Sequence, residues 1–117
     1  MRIERIGEVC LLTRDVVRLA GFYRQLLGLE GGSTDTGHQF LIEEGVALTV
    51  MRDEAQRQGQ SAALAFTVED MHEAFARVKE LGAPVVEPPT RRPWGAVNMS
   101  FRDPDGNVVY FRELGPV

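Results

Sequence analysis

The sequence predicts an α+β fold built from two tandem copies of one unit, each a strand, a helix and then about three more strands. Three observations carry this reading. Residues 8–28, EVCLLTRDVVRLAGFYRQLLG, and residues 63–82, ALAFTVEDMHEAFARVKELG, follow one plan: a β-rich run, an Asp, a helical pattern and a Gly. The two helical patterns carry apolar residues at helix spacing, and the β-rich runs alternate with a period of two. Each copy is too small to hide its apolar faces alone, so the two are expected to pack together.

In the first copy, Asp15 is placed to cap a helix whose stripe is Val16, Leu19, Tyr23, Leu26 and Leu27, and Gly28 suits the left-handed residue that ends it. Gly21 inside this helix costs about 1 kcal/mol relative to Ala, and either permits close packing or is neutral. In the second copy, Asp70 and Glu73 make a D-x-x-E arrangement close to a capping box. Met71, Ala74, Phe75, Val78 and Leu81 form its stripe, and Gly82 stops it. In the strand runs, Val9, Leu11, Leu48, Val50, Leu64, Phe66, Val109 and Phe111 share the parity that should pack on the helices. Their neighbours Glu8, Cys10, Thr49, Ala63, Ala65, Tyr110 and Arg112 must face the other way. That second set is smaller and mixed in polarity, which suits a ligand-lined concavity better than a dry core.

Residues 56–61 are a polar linker between a first module over about 1–55 and a second over about 62–117. Pro84 to Pro93 reads as an extended segment and loop. Asp103-Pro104-Asp105-Gly106-Asn107 reads as a tight turn in which Pro sets φ while Gly and Asn tolerate positive φ.

Composition removes several function classes. The 117 residues are 44% hydrophobic and 26% charged, as in a soluble globular domain rather than a disordered chain. No apolar run approaches the roughly 20 residues of a membrane span, and Met1 to Glu8 lacks the apolar stretch of a signal peptide. A single cysteine, Cys10, cannot form an intrachain disulfide, and no Cys/His cluster suggests zinc. These features point to a cytoplasmic protein without membrane contact. A net charge of −4, with basic residues scattered, argues against a nucleic-acid partner and slightly favours neutral or cationic ligands.

The residues Asp15, Phe22-Tyr23 and Leu27-Gly28, then Val68-Glu69-Asp70, Leu81-Gly82 and Phe101 through Asn107, resemble the vicinal oxygen chelate superfamily of glyoxalases, extradiol dioxygenases and bleomycin-resistance proteins. The resemblance covers nearly the whole chain as one domain. It implies paired βαβββ modules whose curved mixed sheets surround a cleft, helices outside, usually in a homodimer.

Enzymes of that superfamily hold a divalent metal at four inward positions. The resemblance places these at Glu8, Thr49 (Ala47 if the register shifts by two), Ala63 and Tyr110. Only Glu8 is a plausible ligand, and a catalytic metal needs about three protein ligands plus an open position. His72 is expected in solvent, off its helix's apolar stripe. His38 either enters the pocket or packs and hydrogen-bonds elsewhere. Pro93-Trp94-Gly95 matches a Pro-Trp-Gly of the metal-free bleomycin-resistance members, whose Trp stacks on flat rings of the drug. Trp94 is thus the candidate stacking residue, or else it closes one end of the pocket or packs in the dimer interface.

Three smaller chemical expectations follow. Cys10 lacks an identifiable base, so it reads as a small hydrophobe rather than a nucleophile. Glu8 is expected either with a carboxyl raised by desolvation or paired with Arg112. Tyr110 is either a general acid or an ordinary hydrogen-bonding phenol.

The predicted pocket comprises Glu8, Cys10, Thr49, Ala63, Ala65, Trp94, Asn98, Ser100, Tyr110 and Arg112, with no metal and no cofactor. The functional expectation is a metal-independent small-molecule-binding protein that sequesters an antibiotic or toxin. The competing one is a glyoxalase-like lyase or isomerase, or a dioxygenase, with unconventional metal ligands. A third is an interaction protein with a vestigial cleft.

Overall fold

The computed structural model describes residues 1–55 and 62–114. The linker assigned to residues 56–61 lies outside them. The chain divides into two compact units, Met1–Arg57 and Gln58–Val117. Each contains one helix and one four-stranded mixed sheet in the order βαβββ. Among the described residues no helix is long and apolar enough to cross a membrane.

In the first unit, β1 (Glu8–Thr13) leads into α1 (Val16–Leu27), followed by β2 (Gly32–Ser33), β3 (Gly37–Glu43) and β4 (Val46–Arg52). The sheet order is β1-β4-β3-β2, with β1 parallel to β4 and the other pairs antiparallel. Asp15 caps α1 by accepting the Arg18 N–H at 3.1 Å, and Gly28 ends it at φ 69°. Leu19, Ala20, Tyr23 and Leu26 of α1 are buried, as are Leu11, Phe40, Leu48 and Val50 of the strands. The buried Thr13 hydroxyl accepts the Asp15 N–H at 3.1 Å, tying the strand's end to the helix cap. A Cβ added at Gly21 would meet nothing within 4 Å. Among the described residues, nothing packs closely enough on this glycine to require it.

In the second unit, β5 (Ala63–Thr67) and α2 (Met71–Glu80) precede β6 (Val85–Arg91), β7 (Val97–Arg102) and β8 (Val108–Glu113). The sheet order is β5-β8-β7-β6, with β5 parallel to β8. Asp70 accepts the N–H groups of His72 and Glu73, and Glu113 of β8 accepts that of Met71 at 2.9 Å. The second cap reaches across 42 residues of chain, beyond any local spacing rule. Leu64, Met71, Val78, Met99, Phe101, Val109 and Phe111 are buried, with the Phe101 and Phe111 rings edge-to-face at 5.0 Å.

The Pro-rich segment becomes β6, an edge strand whose register with β7 shifts on both sides of Glu87. Pro88 and Pro89 have no N–H for a ladder, and an edge strand with irregular register is where a sheet tolerates them. Asn107 has no positive φ; in this turn only Gly106 does, at 85°. Asn107 is instead almost fully buried and hydrogen-bonded to Asp103.

Candidate functional site

Strand parity decides which side chains face away from each helix. In the first unit Cys10 pairs with Thr49, and Thr49 with Gln39, so these three lie in one row across β1, β4 and β3. Glu8 lies two residues before Cys10 on the same face. The four side chains form one hydrogen-bonded array. The Thr49 hydroxyl donates to Glu8 Oε2 at 2.7 Å, Gln39 Nε2 donates to the same oxygen at 3.1 Å, and the Cys10 thiol donates to Oε1 at 3.3 Å. Gln39 Nε2 also donates to Thr49 Oγ1 at 3.1 Å. Thr49 is only 3% exposed, so its hydroxyl depends on these partners, while Glu8 itself stands in solvent.

This arrangement sets the protonation states. Hydrogen bonds from Thr49, Cys10 and Gln39 hold the Glu8 carboxyl below its ordinary value. The expectation of a carboxyl raised by desolvation is therefore overturned, because three donors outweigh the loss of water. Partial burial, then the hydrogen bond to Glu8 and the repulsion of its charge, push the Cys10 thiol up. That opposes thiolate formation, as its reading as a small hydrophobe expected.

His38 faces the opposite side. It pairs with Val50, its Nε2 lies 2.8 Å from the Glu30 carbonyl oxygen, and its ring sits 4.9 Å from that of Phe40. It is a buried packing and hydrogen-bonding residue, and the alternative that it enters the pocket is excluded by parity. His72 is exposed, as expected.

In the second unit Ala65 pairs with Tyr110, and Tyr110 with Ser100, repeating the row formed by Cys10, Thr49 and Gln39. Ala63, Asn98 and Arg112 lie on the same face. This register also settles which residue of β4 matches Tyr110: it is Thr49, not Ala47. Ser100 is buried, Tyr110 is 44% exposed, and Arg112 Nε donates to Thr67 Oγ1 at 2.9 Å. Glu8 and Arg112 each have hydrogen-bond partners inside their own unit. The side-chain oxygen of Asn98 is buried, and among the described residues nothing donates to it.

Trp94 lies in the turn between β6 and β7 and is 73% exposed. The turn is pinned under it. Gly95 N–H donates to the Arg92 carbonyl at 2.9 Å, Arg92 N–H to that of Ala96 at 2.7 Å, and the Arg92 guanidinium pairs with Glu87 at 2.7 Å. The indole is thus presented on a fixed backbone.

Sequence reasoning missed Gln39. Part of the signal was present: Gln39 and Leu41 alternate with His38 and Phe40, which puts Gln39 on the face opposite His38, while its place beside Thr49 comes from the β3–β4 register.

No curated protein is recognisably similar in sequence. Among solved structures, a virulence protein from Salmonella typhimurium is similar at TM-score 0.77 and 21% identity, over 97% of this chain and 98% of that one. A protein from the mobile metagenome of V. Pseudocholerae matches at TM-score 0.77 and 24% identity, over 99% and 98%. A glyoxalase/bleomycin resistance protein/dioxygenase family enzyme from Burkholderia phytofirmans PsJN matches at TM-score 0.77 and 17% identity, over 92% and 96%. At these identities the likeness is one of fold. The family model for glyoxalases, bleomycin resistance proteins and dioxygenases matches residues 5–111. With that match and the repeated βαβββ unit together, the chain belongs to the glyoxalase/bleomycin resistance protein/dioxygenase superfamily.

Proposed function

We propose that this protein is a metal-independent small-molecule-binding protein that sequesters a planar, ring-bearing antibiotic or toxin, working as a homodimer in the cytoplasm. One observation carries the reading. At the four positions where the superfamily's enzymes bind a metal, this chain has Glu8, Thr49, Ala63 and Tyr110. That is one carboxylate, one neutral hydroxyl, a methyl group and a phenol. The Thr49 hydroxyl is already committed to Glu8 and Gln39. A divalent ion needs about three protein ligands, and this donor set does not fit one.

Other features support binding without catalysis. Trp94 offers a large flat surface on a pinned turn, where little side-chain entropy is lost on stacking. Ala63 and Ala65, with small side chains, leave volume on their sheet face.

The test is a thermal-shift screen over metabolites and planar antibiotics, followed by W94A on any hit. A ligand at 100 times its Kd adds about 2.7 kcal/mol. Loss of the exposed indole should weaken binding by about 1 kcal/mol or more and leave unfolding within about 0.5 kcal/mol of wild type. If Trp94 instead packs against the partner subunit, W94A lowers dimer stability in sedimentation and leaves binding intact. A stoichiometric transition metal, removed by chelator with loss of an enzymatic activity, overturns the proposal in favour of a lyase, isomerase or dioxygenase.

A further inference from the structure

We infer that the Glu8–Gln39–Thr49–Cys10 array recognises an organic cation bearing N–H donors, a primary ammonium or a guanidinium, as the polar end of the bound molecule. This rests on the small-molecule reading above and names the chemistry of one end of the ligand.

The array is built to present acceptors. Three side-chain donors converge on the Glu8 carboxylate from within the sheet, two on Oε2 and one on Oε1. They fix its orientation and keep it ionised, and the carboxylate's outer side is left to solvent. Among the described residues of its own unit, no Lys, Arg or His nitrogen lies within 4 Å of it. An ionised carboxylate held by neutral donors keeps its full charge and remains free to accept charge-assisted hydrogen bonds from a ligand. Because the Gln39 nitrogen is engaged with Glu8 and Thr49, the Gln39 carbonyl oxygen remains as a second acceptor.

A place for the rest of such a molecule adjoins the array. A groove of about 460 Å³ runs beside Gln39, lined by Leu29, Glu30, Gly32 and Leu41 among others. Gly32 pairs with Gln39 across the β2–β3 ladder and has no side chain to fill the space. A Cβ there would meet nothing within 4 Å. Leu29 and Leu41 supply apolar walls, while the exposed Glu30 at the rim pairs with Arg24 at 3.8 Å. Acceptors at one end and apolar walls alongside match an amphipathic cation, and disfavour an anion of the same shape.

The experiment uses three molecules sharing one ring system: 2-naphthylmethylammonium, 2-naphthylmethanol and 2-naphthoate. Their affinities for the full chain are measured by calorimetry in EDTA-containing buffer, with E8Q and G32L alongside. Circular dichroism melts verify that both variants fold. The ammonium compound should bind at least tenfold more tightly than the alcohol, and the carboxylate most weakly. E8Q should abolish the preference for the ammonium over the alcohol. G32L, which fills the groove and leaves Glu8 in place, should weaken all three ligands at least threefold. Equal binding of ammonium and alcohol, or a preference that survives E8Q, overturns the cation assignment while leaving the small-molecule reading intact. Binding of none of the three, together with a blank ligand screen, overturns both. Tight ammonium binding unchanged in G32L overturns the groove as the place for the rest of the molecule.

Discussion

Replacing Asp103 with Ala should be among the most destabilising single changes outside the apolar core. Asp103 is 4% exposed and Asn107 1%. Asp103 Oδ1 accepts the backbone N–H groups of Asp105 and Asn107, each at 2.9 Å, and Oδ2 accepts Asn107 Nδ2 at 2.8 Å. In D103A the two donors of Asn107 lose their acceptor while buried. Each such orphan costs about 1–3 kcal/mol. The half-buried Asp105 N–H can turn toward water and adds little. The sum is about 4 kcal/mol, against about 5–15 kcal/mol of total stability for a domain. D103N keeps one oxygen for the backbone donors but sets an amide nitrogen against Asn107 Nδ2, so it should cost about half as much. The double variant D103A/N107A removes the buried amide as well and should recover part of the D103A loss. Urea unfolding followed by circular dichroism gives all three values. A D103A cost below about 1 kcal/mol, or equal costs for D103A and D103N, would refute the hydrogen-bond account of this turn.

Further outcomes follow from particular contacts. G21A should raise stability by up to about 1 kcal/mol, because the added methyl meets nothing and helix propensity improves; denaturant midpoints check this. F101A should cost about 3–5 kcal/mol in the same assay, since the ring is fully buried against Phe111. Cys10 is the sole cysteine, and its raised thiol predicts alkylation by iodoacetamide at pH 8 slower than that of free cysteine. E8Q should speed that reaction by removing the neighbouring charge, though desolvation remains. The Glu8 carboxyl is lowered in the folded protein, so whatever the ionised form contributes is fully present above the ordinary glutamate value. Binding of 2-naphthylmethylammonium should accordingly hold through pH 5 and disappear only as pH falls through the lowered value. Loss of binding already between pH 7 and 5 would contradict the array's effect on Glu8.

The repeat, both helices with their Asp caps and Gly ends, and the parity of the strands were legible in the amino-acid order alone. The reason is that caps, helix spacing and strand alternation are local. Asp15 reaches Arg18, and Asp70 reaches His72 and Glu73, all within one helical turn. Parity then placed Glu8, Cys10 and Thr49 on one face of the first unit, and Ala63, Ala65, Ser100 and Tyr110 on one face of the second. Only the tertiary structure decided what those side chains do there. Glu8 and Thr49 stand 41 residues apart in the chain, and Glu8 and Gln39 31 apart. Their hydrogen bonds exist because β1 pairs in parallel with β4 and β4 with β3 at one register, which no local rule specifies. That register surrounds the Glu8 carboxyl with three donors, which hold it below its ordinary value. It also added Gln39, whose long amide bridges two neighbouring strands. Short-range pattern thus determined which face each residue occupies, and strand pairing determined its charge and its partners.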